Sequence, residues 1–216
     1  MNRAVIMSGG NISDDFALSF LTEHPWKFLI AADRGVCFCR RKGVLPTHAV
    51  GDFDSGSEED LDWLRNHKEI LVRRFCRQKD VTDTQIAVEL AIELGADKIH
   101  ILGGTGTRLD HTFANIRILN LGLEKGIPIL LEDPNNRIYL KKESFLIPRK
   151  EQFGTYVSFF ALGEPVTDLT LEGFFYPLRG YCMSGMDPLG VSNEITENVG
   201  KVYFSSGTLL VIESKD

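Results

Sequence analysis

Short apolar runs alternate with longer amphipathic stretches over the first ~130 residues. The runs RAVIMS (3–8), KFLIAA (27–32), THAV (47–50), EILVRR (69–74), KIHIL (98–102) and IPILL (127–131) read as strands. The stretches between them read as helices, with start signals at several. Ser13 precedes DDFALSFLTEH, and Ser57 precedes EEDLDWLRNH, whose first-turn acids suit the positive end of a helix dipole. Thr82 and Gln85 form a capping-box pattern ahead of IAVELAIEL, where Ile86, Leu90 and Leu94 recur every four residues beside Ala87 and Ala91. Strands alternating with helices predict a largely parallel sheet with helices on both faces.

The texture changes after residue 132. A turn cluster, EDPNNR (132–137), is followed by RIYLKK, TYVSFFAL, DLTLEG, FFYPL, KVYFSS and TLLVIES, all short and rich in β-branched and aromatic residues. KVYFSSGTLLVIES reads as a hairpin turning at Gly207. The expected fold class is an α/β domain over 1–132 followed by a smaller all-β sandwich over 133–216.

Composition narrows the function. A 216-residue chain with 43% hydrophobic and 25% charged residues is ordinary for a globular protein. The net charge of −6 argues against nonspecific nucleic-acid binding, so a phosphate ligand would need a cation as mediator. No apolar run is long enough for a membrane span, and the apolar stretch in MNRAVIMSGG is too short for a signal peptide. Cys37, Cys39, Cys76 and Cys182 lack zinc-type spacing and read as reduced thiols of a cytoplasmic protein.

The acids then draw attention. Asp33 ends the second strand, Asp52 and Asp54 (in GDFDS) end the third, Asp80 and Asp83 (in KDVTD) follow the fourth, and Asp110 follows the fifth. All six stand at carboxyl ends of predicted parallel strands, the edge where open α/β sheets bind ligands. Each alone reads equally as a cap or turn residue. Together they call for a hard cation, and Asp ligands completed by water and phosphate suit Mg²⁺. Asp-x-Asp at a strand end is expected to aim both carboxylates alike.

GGTGTRLDH (103–111) supplies the phosphate half. Gly103, Gly104 and Gly106 are expected to let the backbone approach an anion, and Arg108 to hold phosphate oxygens. SGGN (8–11) reads either as a second phosphate or ribose contact or as a plain tight turn. His111 reads either as a base or as a structural histidine at a helix start. Asn193, from the residues alone, reads as a turn former. Phe174, Phe175 and Tyr176 read as core aromatics or as a stacking wall.

In this order, ADRG, GDFDS, KDVTD, GGTGTRLDHTFANI, LEGFFYPL, GVSNE and GTLLVI resemble the thiamine pyrophosphokinase family over nearly the whole chain. The resemblance implies an α/β catalytic domain, a β-sandwich that binds thiamine, and a homodimer with active sites at the subunit interface. It implies ATP and thiamine as substrates, with thiamine diphosphate and AMP as products. Carried over by position, the Mg²⁺ ligands fall on Asp52, Asp54 and Asp83. Asp33, Asp80, Gly104, Arg108 and Asp110 fall on the nucleotide and transfer site, and Ser192 and Asn193 on the thiamine pyrimidine. Asp54 and Asp110 both stand as acceptors of the thiamine hydroxyl proton. Arg34 and Thr107 depart from the family, where glycine is frequent; Arg34 forfeits a close backbone approach and offers a cation instead. A pterin-type pyrophosphokinase and a non-catalytic nucleotide or thiamine sensor are the rival readings.

Overall fold

A computed structural model of the chain describes residues 2–53, 57–75 and 81–216. The chain divides into two compact units, Met1–Pro134 and Asn135–Asp216.

In the first unit the predicted alternation appears as strands β1 (Arg3–Met7), β2 (Phe28–Ala32), β3 (His48–Gly51), β4 (Leu71–Arg74), β5 (Lys98–Leu102) and β6 (Ile129–Glu132). They are interleaved with helices α1 (Asp14–Glu23), α2 (Gly35–Lys42), α3 (Glu58–Asn66), α4 (Asp83–Glu93), α5 (Leu109–Ile118) and α6 (Asn120–Lys125). The strands pair in parallel in the order β4-β3-β2-β1-β5-β6. Val5, Met7, Leu29, Ala31 and Ala49 join Ala17, Phe20, Val36, Phe38 and Leu64 in one core. The alternate strand residues Ala4, Ile6, Ile30, Ala32 and Val50 are equally buried and point to the other face. Helix α4 packs over β1, β2 and β3. Both faces are therefore dry at β1, β2, β3 and β5, which explains their continuous apolar runs, whereas the edge strand β4 (LVRR) is exposed throughout. Burial pushes the Cys39 thiol up to about 12, so it packs as a small hydrophobe. No helix among the described residues is long and apolar enough to cross a membrane.

The cap signals meet three outcomes. Ser57 forms a full capping box with Asp60. Thr82 accepts from the Gln85 backbone N–H, but the Gln85 side chain donates to Glu89 instead of returning to the cap. Ser13 caps α1 without a side-chain hydrogen bond.

The second unit is two antiparallel sheets. One is ordered β7 (Asn136–Lys141), β13 (Leu209–Ser214), β9 (Tyr156–Ala161). The other is ordered β11 (Leu178–Met183), β10 (Val166–Glu172), β12 (Val199–Tyr203), β8 (Phe145–Pro148). Val157, Phe159 and Val211 from the first sheet and Leu169, Met183 and Val202 from the second share one core, which makes a sandwich. The predicted hairpin at Gly207 is corrected: β12 and β13 belong to different sheets. The connection crosses between layers, and Gly207 (φ +98) passes where a Cβ would lie 2.6 Å from the Pro165 carbonyl oxygen. Strand–turn–strand patterning is identical for a hairpin and for such a crossover, since both bury Val202, Leu209 and Val211. FFYPL is corrected too. Phe174 forms an isolated bridge with Ile195, and the strand begins only at Leu178.

Candidate functional site

The strand order locates the site. From β1 the chain steps outward through β2 and β3 to β4, then returns through α4 to β5 on the other side of β1. Connections leaving β1 and β5 run in opposite directions, which opens a crevice at the carboxyl ends of these two strands. The loops after β1 and β5 meet there. Ser8 N–H donates to Leu102 O (2.8 Å), Gly10 N–H to Gly103 O (2.8 Å) and Asn11 N–H to Thr105 O (2.9 Å). SGGN is thus more than a plain turn: it is laced to the glycine-rich loop. A cavity of about 760 Å³ opens beside them, lined in part by Ser8–Asn11, Asp33, Arg34, Thr82–Thr84 and Gly103–Arg108.

Two of the glycines also answer a packing need. A Cβ on Gly103 (φ +70) would meet Ile12 Cγ1 at 2.4 Å, and one on Gly104 would meet Leu131 Cδ1 at 2.2 Å. The space their side chains would need is filled by the protein's own core, so these two glycines let the loop sit down onto it. The loop is pinned further by Asn115, buried, whose Nδ2 donates to Gly104 O (2.7 Å), and by Thr105 Oγ1, which donates to Asp133 Oδ2 (2.8 Å).

Three acids converge. Oxygen atoms of Asp33, Asp52 and Asp83 all lie within 4.8 Å of one another. Asp33 follows β2 in the left-handed region (φ +47), and its N–H donates to Val50 O (3.0 Å), tying the ends of β2 and β3 together. Asp52 follows β3, and Asp83 is the first residue of α4. Asp33, expected at the nucleotide and transfer site, lines the cavity and stands with two of the expected cation ligands. Asp54 and Asp80 lie outside the described residues, as does Ser55. The expectation of strand-like alternation through GDFDS is corrected at Phe53. This buried residue has φ +58, a costly conformation for a bulky side chain, and the chain turns there directly after Asp52.

Arg108 and Asp110 form a two-pronged pair at the start of α5: Nη2 donates to Oδ2 (2.5 Å) and Nε to Oδ1 (3.2 Å). The Arg108 guanidinium, with help from the His111 backbone N–H, holds the Asp110 carboxyl below its usual value. Arg108 and His111 line the cavity. Asp110 accepts both prongs of the Arg108 guanidinium at the start of α5.

In the second unit Ser192 is exposed at φ +55, and its N–H donates to Ser158 Oγ (3.0 Å). Asn193 is buried. Its Oδ1 accepts from Tyr176 N–H (2.9 Å) and Glu194 N–H (2.9 Å), and its Nδ2 donates to Tyr176 O (2.8 Å). The amide therefore mimics a neighbouring peptide and holds the Phe175–Tyr176 segment, in line with its structural reading. Phe174 packs in the core against Phe159, whereas Phe175 and Tyr176 are exposed with their rings edge-to-face at 4.8 Å.

Sequence reasoning passed over Thr84, whose only mark is position beside KDVTD, and gave no separate role to Ser8 in SGGN, Asn115 in GGTGTRLDHTFANI or Asp133 in EDPNNR. It also passed over Phe53, because no pattern announces a left-handed phenylalanine.

Comparison with known proteins agrees with this anatomy. The family described as "Thiamin pyrophosphokinase, catalytic domain" matches residues 22–131, and "Thiamin pyrophosphokinase, vitamin B1 binding domain" matches residues 143–209. The chain is 33% identical over 219 residues to the thiamine pyrophosphokinase of Bacillus subtilis (strain 168), covering 100% of both. It is similar to the crystal structure of the Bacillus subtilis enzyme with a TM-score of 0.89 at 32% identity, again over 100% of each chain. For thiamin pyrophosphokinase from Geobacillus thermodenitrificans the TM-score is 0.84 at 30% identity, over 100% of this chain and 98% of that one. With likeness running end to end in both sequence and fold, the chain belongs to the thiamine pyrophosphokinase family.

Proposed function

We propose that this protein transfers the pyrophosphoryl group of ATP to the hydroxyl of thiamine, with Mg²⁺ as cofactor. The observation that carries the reading is the meeting of Asp33, Asp52 and Asp83 within 4.8 Å at the ligand edge of the sheet. Carboxylate oxygens are the hard donors that Mg²⁺ takes, and these three are close enough together to face one ion. Asp33, Asp52 and Asp83 would hold the ion, with Asp54 as the further ligand that the family resemblance implies. When bound, it supplies positive charge against the triphosphate.

The thiamine hydroxyl oxygen forms a bond to the β-phosphorus of ATP, the bond from that phosphorus to the α,β-bridging oxygen breaks, and AMP leaves. The hydroxyl proton passes to a base. Asp54 and Asp110 are the two acids considered for that role, and Asp110 also bonds Arg108. The chain's own work is positioning and charge placement. Arg108, fixed by Asp110, faces the cavity with a cationic fork suited to phosphate oxygens. The loops after β1 and β5 carry backbone groups to the same wall. Thiamine is assigned to the second unit beside Ser192, with Asn193 holding Phe175 and Tyr176 in place, and the assembly is read as a homodimer.

The test is AMP formation from ATP and Mg²⁺, followed by chromatography, with and without thiamine. Thiamine-dependent AMP supports the reading, and Asp83→Ala should abolish it at any practical Mg²⁺ concentration. ADP as product, AMP without thiamine, or near-normal turnover in Asp83→Ala would each overturn it.

A further inference from the structure

Asp33 and Asp52 reach the site from strand ends, and the Asp33 N–H to Val50 O bond ties those two ends together. Asp83 arrives differently, on the first turn of a helix that lies across the sheet. The packing of α4 on β1, β2 and β3 carries that turn, and one side-chain contact ties it further to the loop after β1. The residue after Asp83, Thr84, is 7% exposed, and its Oγ1 lies 2.6 Å from Ser8 Oγ, itself 2% exposed. Both line the cavity wall.

Two buried hydroxyls cost free energy unless they bond, and 2.6 Å is a tight O–H···O contact. Helix propensity does not explain Thr84, since threonine ranks below most residues inside a helix. Ser8 is itself immobilised, because its N–H donates to Leu102 O and, just beyond it, Gly10 and Asn11 are laced to the glycine-rich loop. The hydroxyl pair therefore joins α4 to the paired loops of β1 and β5. Successive helical residues stand about 100° apart around the axis, so pinning Thr84 fixes the roll of the first turn and with it the direction of Asp83.

We infer that Thr84 and Ser8 are positioning residues that set the Asp83 carboxylate against Asp33 and Asp52, and so set the divalent-cation affinity of the site. The inference rests on the cation reading given above. Neither hydroxyl needs to touch substrate. The bond acts through Asp83, and it couples the cation seat to the two loops that wall the cavity.

The experiment measures Mn²⁺ binding by electron paramagnetic resonance, without nucleotide or thiamine, alongside melting temperature, kcat and the KM for ATP. Thr84→Val keeps the shape and removes the hydroxyl, Ser8→Ala removes the partner, and the double variant leaves neither unpaired. Each should weaken Mn²⁺ about tenfold, the size typical when support behind a metal ligand is lost. Thr84→Ser should stay within about twofold of the parent, because it restores the same bond. Phe20→Leu, in the α1 core, controls for general loss of stability: it should lower the melting temperature and leave Mn²⁺ affinity unchanged. Parental Mn²⁺ affinity in Thr84→Val and Ser8→Ala would overturn the inference alone. Equal weakening by Phe20→Leu would also overturn it, by making the effect one of stability. Should Thr84→Val fail to fold, Ser8→Ala and Thr84→Ser decide. No Mn²⁺ binding by the parent protein would overturn the cation reading itself, and the inference with it.

Discussion

Replacing Gly10 by alanine tests whether the lacing of the β1 and β5 loops shapes the site. A Cβ at residue 10 would lie 2.4 Å from Gly103 O and 2.5 Å from Thr105 O, both backbone atoms that no side-chain rotation can move. Contacts under 3.0 Å are essentially never seen, so the loops must part by about 0.6 Å. That takes the Gly10 N–H to Gly103 O bond from 2.8 Å to about 3.4 Å, past the usual limit of ~3.2 Å, and draws the neighbouring Asn11 bond with it. Two backbone bonds at about 1 kcal/mol each, plus about 1–3 kcal/mol of overpacking, are offset by under about 1 kcal/mol from the stiffer unfolded chain. The net loss should be about 2–5 kcal/mol, a large part of a stability on the order of 5–15 kcal/mol. Gly43→Ala is the control, at φ +65 with nothing within 4 Å of its Cβ, and should cost only about 1–2 kcal/mol. Urea unfolding of both variants gives the stabilities, and initial rates against ATP give the KM. Gly10→Ala should lose more stability than Gly43→Ala and also raise the KM for ATP. If it lost no more than the control, or kept the parental KM while losing stability, the lacing would have no bearing on the site.

Two shorter predictions follow from other residues. Arg34 lines the cavity at the start of α2; if its charge meets the polyphosphate, Arg34→Gly should raise the KM for ATP about tenfold with a smaller change in the KM for thiamine, and an unchanged KM for ATP would end that idea. Asp60 completes the α3 capping box and accepts from Arg40 Nε (2.7 Å). Burial works against its ionisation, but the bonds from Arg40 and Ser57 outweigh burial and hold its pKa below the usual carboxylate value. Because the folded value lies below the unfolded one, the stabilisation is fully present above about pH 4 and is lost as pH falls through the folded value. Asp60→Asn should cost about 2 kcal/mol at pH 7 and flatten the acid limb of stability measured by urea unfolding; identical acid limbs in the two proteins would refute it.

How far the sequence reached depended on whether a feature was local. The capping signal at Thr82, the period-four face of α4 and the placement of acids at strand ends are all written within a few residues, and the α/β and sandwich halves followed from them. Which acids meet is set by strand order, a long-range property. In the order β4-β3-β2-β1-β5-β6, Asp33 and Asp52 leave adjacent strands, while Asp110 leaves β5, three places from β3. No local pattern distinguishes Asp110 from the others, yet its position lets it serve Arg108 and keeps it from the cluster. The same limit accounts for Gly207, where the chain changes layer, and for Gly103 and Gly104. Their spacing suggests an anion, and the local pattern does not reveal that their missing side chains also make room for Ile12 and Leu131.

The site thus depends on two kinds of support that a motif search treats as one. The carboxylates are the part that recurs as motif, but each carboxylate is aimed by something unlike the others: a left-handed backbone at Asp33, a left-handed Phe53 behind Asp52, and a helix start braced through Thr84 at Asp83. A cation among three oxygens gains from their being held before it arrives, because ordering them at the moment of binding would subtract from affinity. Strain at Asp33 and Phe53 is tolerable only where the surrounding structure imposes it, and here the Asp33 bond to Val50 and the burial of Phe53 in the α1–α3 core do so. The helix-borne ligand is carried by the packing of α4 on β1, β2 and β3, and the Thr84–Ser8 contact adds a tie from its first turn to the end of β1.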